Sequence, residues 1–449
     1  MFGKYINTII FLVICVIMIA LLYDTLLIKL YRFIYGLVFS ETNIEESTKG
    51  NIVIFTVIAV IYGVGQYFVL RYLDYKNKEI RIAQRLHVNL IHNAVVILQI
   101  TLVALLVLII LQMVITSSYS VAILFAAVGI SYVLAIVMMG ILADRFFSWF
   151  RTNRNNVVLA YGLATAALSV NAGFTLAYVG DLFTNQPPYI GPHILHISST
   201  PSTNSILNLG FVISSVVSFL MTWIATALLL QHYSRKIGRT AYWTIVGIPL
   251  VYFLGQFQPL ILGMFSEYRL SDPVTFGVIY TLVFYLSKPV GGILFGIAFW
   301  SIAKKVGRSQ VRDYLIISAY GLVLLFTSNQ AIVLVNFDFP PFGLATTSFV
   351  GLSSYLILVG IYSSAISISQ DAKLRQTIKK MTVEESKLLD SIASAEVEKQ
   401  IVHNVLSTIK ANQEEMKYEI GIETSLDEKD MVNYLQEVIK ETRTKQRSN

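Results

Sequence analysis

The sequence predicts an all-α, polytopic helical membrane bundle: about ten transmembrane helices, both termini cytoplasmic, and a cytoplasmic coiled-coil tail. Three observations lead there. Only 14% of the 449 residues are charged and the mean hydropathy is +0.65, whereas a soluble chain carries roughly 25% charged residues. Long apolar runs recur along the chain, several of 18 residues or more, enough to cross a hydrocarbon core that takes about 20 helical residues. From residue 370 onward the composition turns abruptly polar and charged.

The runs fall at about 6–28, 51–70, 88–116, 120–143, 157–180, 206–230, 241–265, 274–302, 313–336 and 343–368. The first follows Lys4 and is trailed by TLLIKLYRF, which lacks a small-x-small cleavage pattern, so it reads as an uncleaved span. With the N-terminus inside, the inner loops 71–87, 144–156, 231–240 and 303–312 hold fifteen Lys and Arg. The outer loops hold four: Lys29, Arg32, Lys49 and Arg269. That bias is what the positive-inside rule demands, and it points to a multi-pass protein of the cell membrane. The net charge of +7 is thereby explained by topology, without a nucleic-acid partner.

Four short matches recur in the same order. ILQM at 110–113 returns as ILGM at 261–264, and GIL at 140–142 returns at 292–294. AYGL at 160–163 returns at 319–322, and PPYIG at 187–191 returns as PPFG at 340–343. The matches divide the chain into two leading helices with a basic loop (1–87), repeat one (88–240), repeat two (241–369) and a tail (370–449). The competing reading is chance within the small alphabet of apolar helices. Parallel repeats occur in some transporters, with substrate near the midplane between them.

Polar residues inside spans need a reason. The candidate midplane site is Lys288, in the stretch FYLSKPVGGIL, with Gln256, Gln258, Asn329, Gln330, Asn171 and Asp24. The run 274–302 puts Lys288 fourteen residues from either end, too deep to snorkel. Pro289 would then free the carbonyl of Tyr285 and kink the helix. Either the ammonium lies on freed carbonyls, or it points into a polar cavity and meets an anion or Asp24. The small hydroxyls of the last span (Thr346, Thr347, Ser348, Ser353, Ser354) and the other amides read as glue between helices or as a cavity lining.

In the tail, Leu374, Ile378, Met381, Leu388, Ile392, Val402, Leu406, Ile409 and Met416 fall at alternating spacings of four and three, with polar Glu385, Lys399 and Gln413 in the same seam. Gly421 stops this helix, and Ser425 with Glu428 opens a shorter one carrying Met431, Leu435, Val438 and Ile439. The seam predicts a homodimer or another helical partner; the alternative is packing on the shorter helix. IVHNVLSTIK at 401–410 is faintly similar to the phosphoacceptor helix of sensor histidine kinases, with His403 in the acceptor place, but no ATP-binding domain follows in this chain.

No catalytic motif is present, so the reading is non-enzymatic, with no cofactor. The single Cys15 provides no disulfide framework, and His193 with His196 lacks a third ligand nearby, so no metal is expected. LSKPVGGILFGIAFWSIAKKVGRS, DYLIISAYGLVLLFTSNQAIVLVNFDFPPFG and EESKLLDSIASAEVEKQI, all between 286 and 401, resemble an uncharacterised family of polytopic membrane proteins from archaea, notably of ammonia-oxidising lineages. The resemblance implies a membrane location and a cytoplasmic tail, and transfers no activity or site residue. Two functions remain: a sensor or scaffold coupling the bundle to the tail, supported by a path free of Gly and Pro from about 361 to 420, and a transporter or small-molecule-binding protein with its site at Lys288.

Overall fold

A computed structural model of the chain describes residues 2–38, 44–77, 82–184, 186–192, 205–257, 283–306, 309–329, 339–371, 375–376 and 387–420. These are almost wholly helical. In chain order the helices are α1 (Phe2–Val38), α2 (Ile44–Asn77), α3 (Ile82–Thr116), α4 (Val121–Thr152), α5 (Asn156–Thr184), α6 (Ser205–Leu230), one-turn α7 (Ser234–Ile237), α8 (Arg239–Gly255), α9 (Ser287–Lys305), α10 (Gln310–Ser328), α11 (Leu344–Gln370) and α12 (Lys387–Ile420). Two residues each of β1 (Tyr119–Ser120) and β2 (Tyr189–Ile190) pair antiparallel, tying the start of α4 to the loop after α5.

Among the described residues, eight helices are long and apolar enough to cross a membrane: α1 to α6, α10 and α11. The chain is a helical, multi-pass membrane protein. Two of the ten sequence spans lack that standing. α8 has 17 described residues, and the segment 258–282 that would extend it lies outside the described residues. α9 begins at Ser287, not near 274, and carries Lys288, Lys304 and Lys305 in 19 residues. The basic segments expected to be loops are largely helical: Arg71 and Lys76 lie on α2, Arg145 and Arg151 on α4, and only residues 153–155 separate α4 from α5.

The chain divides into two compact units. One comprises residues 1–145 and 160–364; the other comprises 146–159 with 365–449.

Within the first unit, α1, α2 and α3 each bury a single stripe. On α1 it is Ile10, Ile14, Ile17, Leu21 and Asp24; on α3 it is His92, Val95, Gln99, Leu102, Leu106, Ile109 and Met113. The spacing alternates four and three, the period of one helix seam. α11 is buried on every side. Its neighbours come very close because glycines remove the Cβ. A Cβ on Gly360 would lie 2.5 Å from the Tyr314 carbonyl oxygen on α10, and one on Gly351 would lie 2.9 Å from the Ser131 carbonyl oxygen on α4. α9 and α10 meet the same way at Gly292 and Gly296, where a Cβ would come to 2.7 Å from Phe326 Cβ and 2.9 Å from the Ala319 oxygen. Small residues four apart are the usual device for bringing helices together in lipid. Near the basic ends, Lys76 of α2 pairs with Asp313 of α10 at 2.7 Å, and the Tyr314 hydroxyl donates to the Lys76 carbonyl at 2.9 Å.

Candidate functional site

Lys288 is the second residue of α9. Residues 283 and 284 are helical, 285 and 286 form a turn, and Leu286 caps a new helix. The expected kink falls at this turn, where α9 starts; residues 274–282, the earlier part of that span, lie outside the described residues. Pro289 sits in the first turn, where a backbone N–H has no intrahelical acceptor to lose, and the ladder opens with the Val290 N–H donating to the Leu286 carbonyl at 2.9 Å. The Tyr285 hydroxyl in the turn donates to the Leu22 carbonyl of α1.

The Lys288 ammonium donates to the backbone carbonyl of Asn329 at 3.2 Å. Asn329 caps the C-terminus of α10, its own N–H closing on the Leu325 carbonyl at 2.8 Å. A cation here offsets the partial negative charge of the α10 terminus. It also stands at the partially positive N-terminus of α9, so the contact is a compromise between two helix ends. The Asn329 side chain donates to Asn171 Oδ1 at 3.1 Å and accepts from the Tyr132 hydroxyl at 3.4 Å; Asn171 Nδ2 donates to the Ser214 hydroxyl at 3.1 Å. One connected polar chain thus joins α9, α10, α5, α6 and α4. Its amides are used at both ends, which is the condition for a buried polar group in lipid. The ammonium spends one of its three N–H groups on Asn329, and no second acceptor lies among the described residues.

The other predicted members separate from this chain. Gln256 ends α8 and donates to the Phe253 carbonyl at 2.9 Å. Gln258 and Gln330 lie outside the described residues, as do His193 and His196. Asp24, fully buried, does not meet Lys288. It accepts from the Gly343 N–H at 2.9 Å, the Thr346 N–H at 3.1 Å and the Thr346 hydroxyl at 2.8 Å. Those donors open α11, so Asp24 caps a helix on which it does not lie. Gly343 has a φ of +85°, a conformation glycine adopts without a Cβ penalty.

The hydroxyls of α11 are not mainly glue between helices. Ser353 and Ser354 donate to the carbonyls four residues back at 2.8 and 2.9 Å, and Thr347 to the Gly343 carbonyl at 3.1 Å. Besides Thr346, which bonds Asp24 and the Leu21 carbonyl of α1, an interhelical bond comes from a residue not singled out in the sequence. Ser131 of α4 donates to the Thr347 carbonyl at 2.8 Å and accepts from the Gly351 N–H at 3.1 Å. It straddles an i, i+4 pair of the α11 ladder, a place where a side chain can bend a helix.

In the second unit, α12 docks on the link between α4 and α5. Trp149 Nε1 donates to Glu396 at 3.2 Å, and Asn155 Nδ2 to the Ser391 hydroxyl at 2.6 Å. Gln400 Nε2 donates to the hydroxyl of Ser369, near the end of α11, at 2.9 Å. Leu388, Leu389, Ile392, Ala393, Ala395 and Glu396 are buried with no second copy present, while Lys399 is exposed. Leu374, Ile378, Met381, Glu385 and residues 421–449 lie outside the described residues; α12 continues through 402, 406, 409, 413 and 416 to Ile420. Gly421, where the sequence places a helix stop, lies outside the described residues.

One signal could have found part of what was missed. Gly292 and Gly296 form a G-x-x-x-G in an apolar run, the usual mark of close helix approach. Ser131 has no such signature: one serine in a helix looks alike whether it bonds its own helix or another. Among the described residues no cluster of three or more His, Cys, Asp or Glu could hold a metal ion. No protein-family model matches this chain, no curated protein matches it and no solved structure matches it.

Proposed function

We propose that this is a ten-span protein of the cell membrane, with both termini cytoplasmic, that relays changes in the packing of its last span to a cytoplasmic helical tail. It carries out no chemical step in this reading. The observation that supports it is α11. Its most apolar 18 residues are all buried, and it continues unbroken to Gln370, where Ser369 is bonded by Gln400 of α12. A helix of 27 residues is about 40 Å long, so a shift at its Asp24-held start is carried to the tail by a stiff rod.

The tail has two uses for the same residues. Docked on 146–159, α12 buries Leu388 and Ile392; a coiled-coil dimer would place both in its seam. Docking and dimerisation exclude each other over that stretch, which is what a two-state output requires.

Hydrogen exchange on the full chain in detergent tests the relay. Thr346→Ala removes the hydroxyl bonded to Asp24 at the start of α11. Exchange at 387–400 should rise severalfold along with exchange in α11. Unchanged exchange at 387–400 while α11 loosens would show the tail to be insulated. For topology, in a Cys15→Ser background, an impermeant thiol reagent should label Ser199→Cys in intact cells and spare Ile80→Cys; the opposite pattern inverts the protein.

A second reading rests on Lys288. An ammonium that makes a single hydrogen bond among the described residues, beside a helix N-terminus in a membrane bundle, is suited to an anionic solute, and supports a transporter or solute-binding role.

A further inference from the structure

Among the described residues, a second basic group in the bundle has no counter-charge. Arg145 lies on α4, about two turns before its end at Thr152. Its guanidinium sits over the ring of Tyr362 on α11, 5.5 Å from the centroid, and has no hydrogen bond or ion pair to another described residue. Arg151 and Arg154, nearby in sequence, are exposed, as expected of residues that only set orientation. Arg145 instead forms one wall of a half-open groove of about 110 Å³, lined by Ile141, Leu358, Val359, Tyr362 and Ser363.

Two features make this a built site rather than a snorkelling arginine. The ring of Tyr362 fixes the guanidinium by its face, which leaves the forked N–H edge for a ligand. Ser363 behaves unlike its neighbours. Ser353, Ser354, Ser364 and Ser369 each donate to a carbonyl three or four residues back on α11. The Ser363 hydroxyl is buried, 1% of the residue being exposed, and it has no partner among the described residues. An unpaired buried hydroxyl costs free energy, and it lies in the wall of the groove that also holds the unpaired cation.

We infer that this groove between α4 and α11 binds an anionic membrane lipid, its headgroup on Arg145 and one chain along Ile141, Leu358 and Val359. A lipid is the occupant that matches the groove: the walls are apolar, the helices are membrane-spanning by length and composition, and among the described lining residues the sole charge is positive. Basic pockets between transmembrane helices take acidic headgroups for this reason. The inference requires only that the bundle is embedded in a membrane, and stands whether or not the tail relays anything.

The test uses the purified full chain in a neutral detergent. Phosphatidylglycerol, phosphatidylcholine with the same chains, and inorganic phosphate are titrated against thermal unfolding, and native mass spectrometry counts retained lipids. Phosphatidylglycerol should bind about tenfold more tightly than phosphatidylcholine, the worth of one charge-assisted contact, and phosphate should give no shift. Arg145→Gln should erase the preference, Arg145→Lys should keep part of it, and Arg151→Gln should leave it intact. Equal binding of the two lipids overturns the inference. So does a shift with phosphate alone, which would mark a soluble-anion site, or an equal loss in Arg151→Gln, which would mark diffuse surface charge. If Arg145→Gln does not fold, Arg145→Lys and the retained-lipid count on the unaltered protein decide: a lysine variant that matches the unaltered protein in full removes the role of the guanidinium fork.

Discussion

α3 and α11 cross the same bundle and reverse the expectation set by soluble proteins. α3 is the most apolar of the eight candidate spans, yet only 28% of its most apolar 18 residues are buried; α11 is less apolar and all of the corresponding residues are buried. In water the most apolar element is driven to the centre. In lipid that drive vanishes, because the tails are as apolar as leucine, and burial goes to whichever helix lets its neighbours come close. α11 has Gly351 and Gly360 at its contacts, and its Ser353, Ser354, Ser364 and Ser369 bond carbonyls of their own helix. α3 has bulky Ile and Leu on all sides and meets the bundle along one stripe.

The largest effect should come from filling the contact that puts α11 at the centre. Gly360→Leu would place a Cβ 2.2 Å from Ser318 Oγ and 2.5 Å from the Tyr314 carbonyl oxygen. The second neighbour is backbone and cannot rotate away, so the helices must part. Overpacking costs about 1–3 kcal/mol even where side chains can yield; here the expected result is loss of the monodisperse peak in size-exclusion chromatography. Gly173→Leu on α5, where a Cβ meets nothing within 4 Å, should elute as the unaltered protein does. If both variants behave alike, close approach is not what centres α11.

Next in size is Asp24→Ala. It strips the acceptor from the Gly343 N–H, the Thr346 N–H and the Thr346 hydroxyl, and each buried donor left bare costs about 1–3 kcal/mol. Asp24→Asn keeps one carbonyl acceptor and should lie between the alanine variant and the unaltered protein in thermal unfolding. An alanine variant as stable as the parent would mean that water takes over the cap, and that the start of α11 is wetter than its burial implies.

The sequence made the membrane class and most of the helix positions legible, because length and apolarity suffice for both. It also exposed part of the packing in a form easily overlooked. Where every face of a helix is apolar, the polar residues mark the inner one: His92 and Gln99 lie in the α3 stripe, and Asp24 in the α1 stripe. Lys288, Asn329 and Asn171 were legible as a group for the same reason, since lipid tolerates such residues only where they find each other. Who bonds whom was not legible. Asp24 and Lys288 are an acid and a base within apolar runs, and charge alone would pair them. The first turn of α11, with three donors to satisfy, holds the acid instead. The start of α9 at Ser287 was not legible because hydropathy runs smoothly through the turn at 285–286, which proline and two glycines signal only as some irregularity.

A smaller effect is expected inside the Lys288 chain. Asn171→Ala combined with Asn329→Ala in a double-mutant cycle should give a coupling near 0.6 kcal/mol and below about 1.7, the range for hydrogen bonds between membrane helices. Lys288→Met, which keeps the stem and loses the ammonium, should change stability by less than the alanine variants of Asn329. A Lys288→Met variant that unfolds outright would mean the ammonium is the hub of the chain.

The smallest effect sharpens the comparison most. Leu108 and Ile109 are neighbours on α3, 42% and 0% exposed, and nothing in composition separates them. In a soluble protein both truncations would remove apolar area from a core or a surface in contact with water. In a bilayer Leu108 faces tails before and after the helix packs, so Leu108→Ala changes no transfer free energy and should fall within about 0.5 kcal/mol of the parent. Ile109→Ala opens a void against its neighbours and loses dispersion contacts, but the transfer part of the penalty is absent. It should therefore cost something measurable, and less than the roughly 2–5 kcal/mol typical of soluble cores. Reversible unfolding in mixed micelles reads both. Equal costs at 108 and 109 would show that α3 is covered by protein on its outer side too, and that the contrast with α11 belongs to the isolated chain rather than to its assembled form.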